Sequence, residues 1–159
     1  MNTQHDKFIS LIEKHKRLIC KVCYVYTNSQ DDFNDYYQES LLNLWKAFSS
    51  FRGDCQEQTW IYRIVLNTCI SYIRKGNNSF KTVPLPEDIN LYDDTEEYSQ
   101  IQELYQLFNK LNDFDKAIIF LYLEDKSYEE IGIIIGISTS NVGVRINRIK
   151  EKLKKMSNQ

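Results

Sequence analysis

The stretch from Ser127 to Met156, SYEEIGIIIGISTSNVGVRINRIKEKLKKM, constrains the fold more than any other part of the chain. Ser127 and Glu130 have the spacing of a capping box, in which each side chain accepts a hydrogen bond from the other residue's backbone amide. Gly136 can adopt the positive φ that ends a helix, and Ser138 can cap the next helix. The pattern predicts a short helix, a tight turn and a longer helix.

The longer helix of this pair has two unlike faces. Val142, Ile146 and Ile149 recur at spacings of four and three residues, which is typical of a helix packed on a core. The opposite face is polar, and in residues 138–159 six basic residues stand against one acidic residue. These are the parts of a DNA-binding helix-turn-helix, although a surface hairpin with a solvated charged end has the same pattern. The candidate DNA contacts are Ser140, Asn141, Val144, Arg145, Arg148 and Lys150.

The middle of the chain differs in composition from both ends. The formal net charge of the 159 residues is only −2, but residues 77–100 carry one basic residue against six acidic residues. This stretch also holds both prolines and has no sustained periodicity, which favours a linker. Helical periodicity dominates elsewhere and no strand pattern competes with it. We therefore predict an all-α fold with two small helical domains, residues 1–76 and 100–159, joined by a flexible acidic linker, residues 77–99.

The first domain is predicted to contain three helices. The first helix ends near Tyr26, the second is capped near Ser29 or Asp31, and the third spans about residues 57–75. His15 falls on the apolar stripe of the first helix, so we expect a packed core residue rather than a ligand. The core candidates of the second helix, which runs to about Phe48, are Phe33, Tyr37, Leu41, Leu44 and Trp45.

The second domain is predicted to begin with a helix that starts near Ser99. Asn112 or Asp113 then caps a helix that runs to about Leu123. That helix is apolar nearly all round, which is typical of a central position in a core. The helix-turn-helix follows it.

The second and third helices of the first domain each carry a polar face. On the second helix, Asp35, Gln38 and Glu39 lie at i, i+3 and i+4, a pattern that by itself indicates only solvation. On the third helix, one side combines aromatic, arginine and asparagine side chains, which together can stack bases, neutralise phosphates and read base edges. A tryptophan packed into a core beside solvated arginines explains the same pattern. The residues of that side are Trp60, Arg63, Asn67, Ser71 and Arg74.

The four cysteines do not have the spacing of a disulfide framework or a zinc site. Cys20 and Cys23 lie one helical turn apart near His15, but no second pair of ligands accompanies them. We therefore expect Cys20, Cys23, Cys55 and Cys69 to be free thiols that pack as small hydrophobic side chains, and we predict no metal site.

Several other classes of protein find no support in the sequence. There is no phosphate-binding loop and no nucleophile–base pair, so we predict a protein that is not an enzyme and needs no cofactor. No apolar run approaches the length of a membrane span, and no secretory pattern precedes the first helix. We predict a cytoplasmic protein without membrane insertion.

Three segments match the pattern of one protein family when they are read in order around an acidic linker. With these segments the chain resembles the extracytoplasmic-function (group IV) sigma factors of the sigma-70 family, the dissociable promoter-specificity subunits of bacterial RNA polymerase. The segments are Asp35-Tyr36-Tyr37-Gln38-Glu39 with Trp45 and Phe48; Phe51-Arg52-Gly53 with Thr59 to Ile64, Asn67 and Tyr72 to Lys75; and Ser127 to Arg145.

The resemblance implies the partners of each segment. It implies that Asp35, Gln38 and Glu39 bind the coiled coil of the largest subunit of the polymerase core, that the polymerase flap is a further contact, and that an anti-sigma factor holds the protein inactive. It places the second helix of the helix-turn-helix in the major groove of the −35 element. The residues implied in recognition and melting of the −10 element are Phe51, Arg52, Gly53, Gln58, Trp60, Arg63, Asn67 and Arg74.

The chain departs from the family pattern in the helix-turn-helix. Gly132 stands where the family usually has Ala, and Gly143 stands where it usually has a Lys that would contact phosphate. The preferred −35 bases therefore cannot be carried over from the family. The competing interpretation is a stand-alone helix-turn-helix regulator with residues 1–76 as a sensor or dimerisation domain, although nothing there resembles a ligand pocket.

Overall fold

The computed structural model describes residues 3–75 and 106–157, and within these residues there are helices joined by turns and loops but no strand. The chain divides into two compact units, Met1–Lys81 and Thr82–Gln159, and each is described by itself. The predicted all-α fold with two helical domains is confirmed. The predicted linker and the predicted helix start near Ser99 lie outside the described residues, so the domain bounds remain predictions. The helices are α1 (Gln4–Val25), α2 (Gln30–Phe48), α3 (Glu57–Arg74), α4 (Asp113–Leu123), α5 (Tyr128–Ile135) and α6 (Thr139–Ser157).

The first unit packs α1, α2 and α3 around one apolar core. The hydroxyl of Thr3 accepts a hydrogen bond from the Asp6 amide at 3.1 Å, and the hydroxyl of Ser29 accepts one from the Asp32 amide at 3.1 Å. These side chains start α1 and α2 by satisfying amides that have no partner within the helix. The stripe on which His15 was predicted to lie is buried, and it consists of Phe8, Ile12, His15, Ile19 and Val22 on α1 and of Tyr26 directly after it.

The predicted core face of α2 is wrong in one respect. Trp45 is 41% exposed, whereas Tyr36 and Ser40 are buried in its place. The observed path from Phe33 through Tyr36 and Ser40 to Leu44 and the predicted path through Tyr37 and Leu41 both fit the helical period, so periodicity alone does not choose between them; the packing of α2 buries Tyr36 and Ser40. The Trp45 ring packs edge-on against Phe8, with ring centroids 5.0 Å apart, and keeps its other side in solvent.

The cysteines of the first unit are free thiols, and three of them lie in its core. Cys20, Cys23 and Cys69 are buried, and Cys55 is half-buried. Burial is the main cause that raises the pKa of Cys20 to about 11, and it raises the pKa of Cys69 well above its ordinary range. Because all three of these side chains are buried as free thiols, their predicted packing as small hydrophobic side chains is confirmed.

The second unit begins, in its described part, with the end of a helix at residues 106–108. The side chain of Asn112 accepts a hydrogen bond from the Asp115 amide at 2.8 Å and so caps α4. Ser127 and Glu130 form the predicted capping box at the start of α5, and Gly136 ends that helix with φ 89°. The hydroxyl of Ser138 accepts from the Asn141 amide at 3.1 Å at the start of α6. The predicted helix-turn-helix is therefore present.

The turn of the helix-turn-helix packs directly on Gly132. The carbonyl oxygen of Gly132 accepts hydrogen bonds from the amides of Gly136 and Ile137 at 2.7 and 3.0 Å. A Cβ atom on Gly132 would lie 2.7 Å from the carbonyl oxygen of Ile137, which is closer than van der Waals contact allows. Glycine avoids this clash because it has no Cβ atom, whereas any other residue at this position would force the backbone of the turn to shift.

Gly143 has a different environment, and replacing it with alanine is expected to stabilise the second unit by about 0.5–1 kcal/mol. A Cβ atom there would lie 3.4 Å from the ring of Tyr128, which is ordinary contact with a partly exposed side chain. Both tryptophans, Trp45 and Trp60, lie in the first unit. Tryptophan fluorescence therefore reports unfolding of the first unit, whereas circular dichroism reports loss of helix in both units. The measurement is a urea titration, in which the loss of circular dichroism that has no matching change in fluorescence is assigned to the second unit. A lower midpoint for that part would contradict the prediction.

Candidate nucleic-acid interface

The exposed face of α2 carries the three residues predicted to contact the polymerase. Asp35 and Gln38 are exposed and Glu39 is half-buried. Leu42 lies on the same face, four residues after Gln38 and three after Glu39, and is 45% exposed. Sequence reasoning missed Leu42, although a leucine at this spacing from the polar residues was a signal that the face is not purely solvated.

The loop between α2 and α3, residues 49–56, is folded against an aromatic ring. Phe51 stacks on Trp60 with ring centroids 4.8 Å apart and an angle of 23° between the planes. Phe48 also contacts Trp60, at 6.3 Å between centroids. Trp60 is therefore half-buried and supports the loop. Gly53, with φ 78° and open space on its Cβ side, lies at the exposed tip.

The outer side of α3 is polar and exposed, as its spacing predicts. Arg63, Asn67 and Arg74 are exposed, and intervals of four and seven residues place them on one face of the helix. Arg52 in the loop and Gln58 in the first turn of α3 are exposed as well. The first unit thus presents three arginines and two amides along the loop and α3, with the aromatic pair at the start of that helix, and these are side-chain types that bind single-stranded nucleic acid.

A cleft of about 310 Å³ lies between α2 and α3, and residues of two predicted sites line it. Glu39, a predicted polymerase contact, and Asn67, a predicted −10 contact, both line it. Below them, Asn43 donates a hydrogen bond to the Thr68 hydroxyl at 2.9 Å, and that hydroxyl donates to the Ile64 carbonyl at 2.7 Å. The first of these bonds joins α2 to α3, whereas the second lies within α3 and orients the Thr68 hydroxyl, so the two sites are held on neighbouring helices that are bonded to each other.

The exposed face of α6 lies opposite its buried residues Val142, Ile146 and Ile149. Ser140, Asn141 and Arg148 are exposed on it, and Val144 is 49% exposed. Asn147 is exposed on the same face and was not among the predicted residues, since an asparagine in a polar run gave no distinct signal.

Arg145 lies on one flank of α6, against the start of α4. Its guanidinium carbon is 4.8 Å from the centroid of the Phe114 ring, and Nη1 is 3.8 Å from Asp115 Oδ1. Its Nε is buried and has no hydrogen-bond partner among the described residues. The side chain, 38% exposed, therefore packs against α4 as well as facing solvent.

Lys150 lies on the other flank of α6, against the end of α4. Its Nζ donates a hydrogen bond to the Tyr122 hydroxyl at 2.8 Å and lies 4.4 Å from the centroid of that ring. This hydrogen bond is the main cause that raises the pKa of Lys150. Five residues separate Arg145 from Lys150, so the two point about 140° apart around the helix axis and cannot share its exposed face.

Two family models match the chain, and each lies within one of the two units. "Sigma-70 region 2" matches residues 11–79, and "Sigma-70, region 4" matches residues 101–153. The ECF RNA polymerase sigma-E factor of Haemophilus influenzae is 29% identical, with 94% of this chain and 88% of that protein covered. The ECF RNA polymerase sigma factor SigW of Bacillus subtilis is 27% identical with the same coverage. The chain belongs to the extracytoplasmic-function sigma factors of the sigma-70 family.

Solved structures show that the fold of this sigma factor is shared more widely than its sequence. The sigma factor RpoE in complex with the anti-sigma factor NepR from Bartonella quintana matches with a TM-score of 0.72 at 16% identity, covering 99% of this chain and 98% of that chain. CnrH in complex with the cytosolic domain of CnrY matches with a TM-score of 0.69 at 20% identity, covering 98% and 90%.

The predicted contact residues of this sigma factor all lie within the matched ranges, but their individual roles remain predictions. Residues 35–74 fall within the region 2 match, and residues 140–150 fall within the region 4 match.

In residues 3–75 and 106–157, no cluster of three or more histidine, cysteine or acidic side chains is arranged to hold a metal ion. No helix in the same described part is long and apolar enough to cross a membrane.

Proposed function

We propose that this sigma factor binds core RNA polymerase, directs it to −10 and −35 promoter elements and promotes strand opening. The observation that carries the proposal is that regions 2 and 4 of the family occur in one chain, each within its own compact unit. The interpretation as a stand-alone helix-turn-helix regulator does not account for the region 2 domain, so that alternative is not favoured. Specificity subunits of this kind act by binding, and we assign the chain no catalytic role of its own.

The exposed face of α2 is the proposed contact with the polymerase core. Asp35, Gln38 and Glu39 provide charge and hydrogen-bond acceptors, and Leu42 adds an apolar side chain one turn further along the same face. An apolar residue surrounded by polar residues is the usual composition of a protein interface. Contact with the largest subunit's coiled coil, and of region 4 with the flap, follows from the family.

The loop and the outer side of α3 are proposed to bind the −10 element as its strands separate. Trp60 and Phe51 provide aromatic surface, and Arg52, Arg63 and Arg74 can neutralise phosphates. Unstacking a base costs a few kcal/mol, and contacts with the extruded base offset that cost. Gly53, Gln58 and Asn67 complete the proposed set.

The exposed face of α6 is proposed to read the −35 element in the major groove. Arg148 is the main candidate for a base contact, because an arginine can donate two hydrogen bonds to a guanine edge. Ser140, Asn141 and Val144 lie beside it on the same face. Arg145 and Lys150 are assigned to phosphates at the two edges of the groove, since their side chains already contact α4.

Regulation and location are proposed on the basis of the relatives. One of the solved structures is a sigma factor in complex with the anti-sigma factor NepR, and the other is CnrH in complex with the cytosolic domain of CnrY. We infer that an anti-sigma protein also binds this sigma factor and holds it inactive. We further infer that the sigma factor acts in the cytoplasm, where the polymerase is found.

The test of the proposed function is whether promoter binding depends on core polymerase. A promoter is first identified by mapping transcript starts after overexpression, and binding is then measured by gel shift with and without core. The free chain is expected to bind weakly, since its formal net charge is −2 and the basic surface is small. Tight, sequence-specific binding by the isolated chain at physiological salt would contradict the proposal.

Reversing the charge of Glu39 is expected to weaken binding to core polymerase by roughly fivefold or more, since interface residues that matter contribute upwards of about 1 kcal/mol. The measurement is fluorescence anisotropy of labelled Glu39→Lys titrated with core polymerase. Glu13→Lys, an exposed reversal on α1, is the matched control and should bind as the wild type does. Loss of helical circular dichroism in Glu39→Lys would instead show that this half-buried residue is structural, because a surface change that breaks no packed contact seldom alters stability by more than about 0.5 kcal/mol.

A further inference from the structure

Helix α1 departs from helical geometry at His15, whose φ and ψ are −116° and 17°. The helix contains no proline or glycine, the usual residues at a kink. The His15 side chain is only 8% exposed, and its Nε2 lies 3.2 Å from Glu57 Oε1. Lys14 Nζ lies 3.2 Å from the same oxygen. Two residues of α1 at this distortion therefore converge on one carboxylate of α3.

Glu57 occupies the first position of α3, and that helix begins differently from its neighbours. Gln56 precedes α3 and makes no side-chain capping hydrogen bond, whereas Ser29 caps α2 and Asn112 caps α4. The Glu57 carboxylate is placed where a negative charge favours a helix start. Its hydrogen bond with His15, followed by that with Lys14, lowers the pKa of Glu57, so the group is ionised near neutral pH.

The loop of residues 49–56 ends at this carboxylate. At its other end the loop is held by the stack of Phe51 on Trp60. The two attachments differ in kind, since one is aromatic packing and the other is a charged contact with α1. Lys14 is 67% exposed on its side chain, so its contact is weakened by solvent, whereas His15 is buried and is the firmer partner.

We propose that Glu57, held by His15 and Lys14, is a positioning residue that fixes the loop of residues 49–56 for promoter opening. This inference rests on the proposed role of that loop in the −10 element. Glu57 does not touch DNA in this scheme. It connects α1 to the start of α3, so that the loop keeps the conformation in which Phe51, Arg52 and Gly53 meet the separating strands.

The first arm of the test measures the loop in the free, full-length chain by hydrogen exchange. In Glu57→Ala the amides of residues 49–60 should exchange roughly two- to fivefold faster, as expected for loss of a partly exposed ion pair. The Trp60 amide, which bonds the Gln56 carbonyl at 3.1 Å, is the most direct reporter. Glu13→Gln on α1 is the matched control and should exchange as the wild type does. Unchanged exchange in Glu57→Ala would overturn the inference whatever the function of the chain.

The second arm measures opening by the reconstituted holoenzyme with permanganate. Glu57→Ala should retain wild-type binding to core and to duplex promoter, open the duplex roughly two- to fivefold less, and be restored on a pre-melted −10 bubble. Glu57→Gln keeps an acceptor for His15 and should fall between wild type and alanine. Wild-type opening by Glu57→Ala, or an equal defect on duplex and bubble, would overturn the positioning role. If the wild-type holoenzyme itself fails to open the promoter, the proposed function fails instead.

Discussion

Arg148→Ala is expected to weaken docking of the holoenzyme on a −35 element by roughly 5- to 150-fold, corresponding to about 1–3 kcal/mol for a bidentate contact with guanine. Arg148 is exposed on the face of α6 opposite its buried residues, and no acidic side chain pairs with it within the described residues. Its guanidinium is therefore available to DNA without first breaking a contact. The measurement is a titration of labelled duplex promoter at fixed salt.

Arg145→Ala is the informative comparison for this prediction. Arg145 contacts Phe114 and Asp115, so its removal also loosens the packing of α6 on α4. We expect part of its effect to appear as reduced stability of the second unit, whereas Arg148→Ala should leave stability unchanged. A larger docking defect for Arg145→Ala than for Arg148→Ala, without loss of stability, would reverse the assignment of the two arginines.

A second measurement, permanganate reactivity of the promoter, separates docking from opening. Arg63→Ala, on the exposed side of α3, should dock normally and fail to open duplex promoter, because that side acts only once a strand is single. A pre-melted −10 bubble should restore permanganate reactivity for Arg63→Ala far better than for Arg148→Ala. Equal restoration of both variants would contradict the assignment of strand opening to the first unit and of docking to the second unit.

Gly132→Ala is expected to destabilise the second unit by about 1–3 kcal/mol, the usual cost of overpacking. The added Cβ would lie 2.7 Å from the Ile137 carbonyl oxygen, a backbone atom that cannot rotate away. The better helix propensity of alanine offsets only about 0.5–1 kcal/mol of this. The measurement is again the urea titration in which circular dichroism is lost without a change in tryptophan fluorescence. Gly143→Ala, which is expected to stabilise the second unit, is the control.

A stabilised Gly132→Ala variant would show that the turn moves at little cost. In that case the close approach of Ile137 would not explain why this chain has glycine where the family usually has alanine. Weaker docking with unchanged stability would also contradict the prediction, because the clash acts on the fold of the helix-turn-helix and not on its exposed face.

Local signals in the sequence predicted the helix starts and stops well. The capping box of Ser127 and Glu130, the turn at Gly136 and the cap at Ser138 depend on residues three or four apart, and each forms as predicted. The contacts of Arg145 and Lys150 depend on Asp115 and Tyr122, which are about thirty residues away. Periodicity gives the angle of a side chain around its helix, but not which neighbouring helix it meets.

Two further features could not be predicted for the same physical reason. Trp45 and Tyr36 are both large aromatic residues on α2, and only the packing of α1 and α3 decides which of them is buried. Glu57 bonds residues 42 and 43 positions earlier, a separation at which no sequence pattern indicates contact. Resemblance to the family assigned roles to positions but could not show that the turn packs so closely on Gly132.

The short range of the bonds that build the helix-turn-helix also has a kinetic consequence. Its caps and turn join residues three to five apart, from Ser127 with Glu130 to Gly132 with Ile137. The first unit is closed by contacts over more than forty residues, as between Lys14 and Glu57. Since contacts between nearby residues form faster than those that close long loops, the α5–α6 hairpin can assemble early and independently, whereas the α1–α3 contact must wait for the chain to close a long loop.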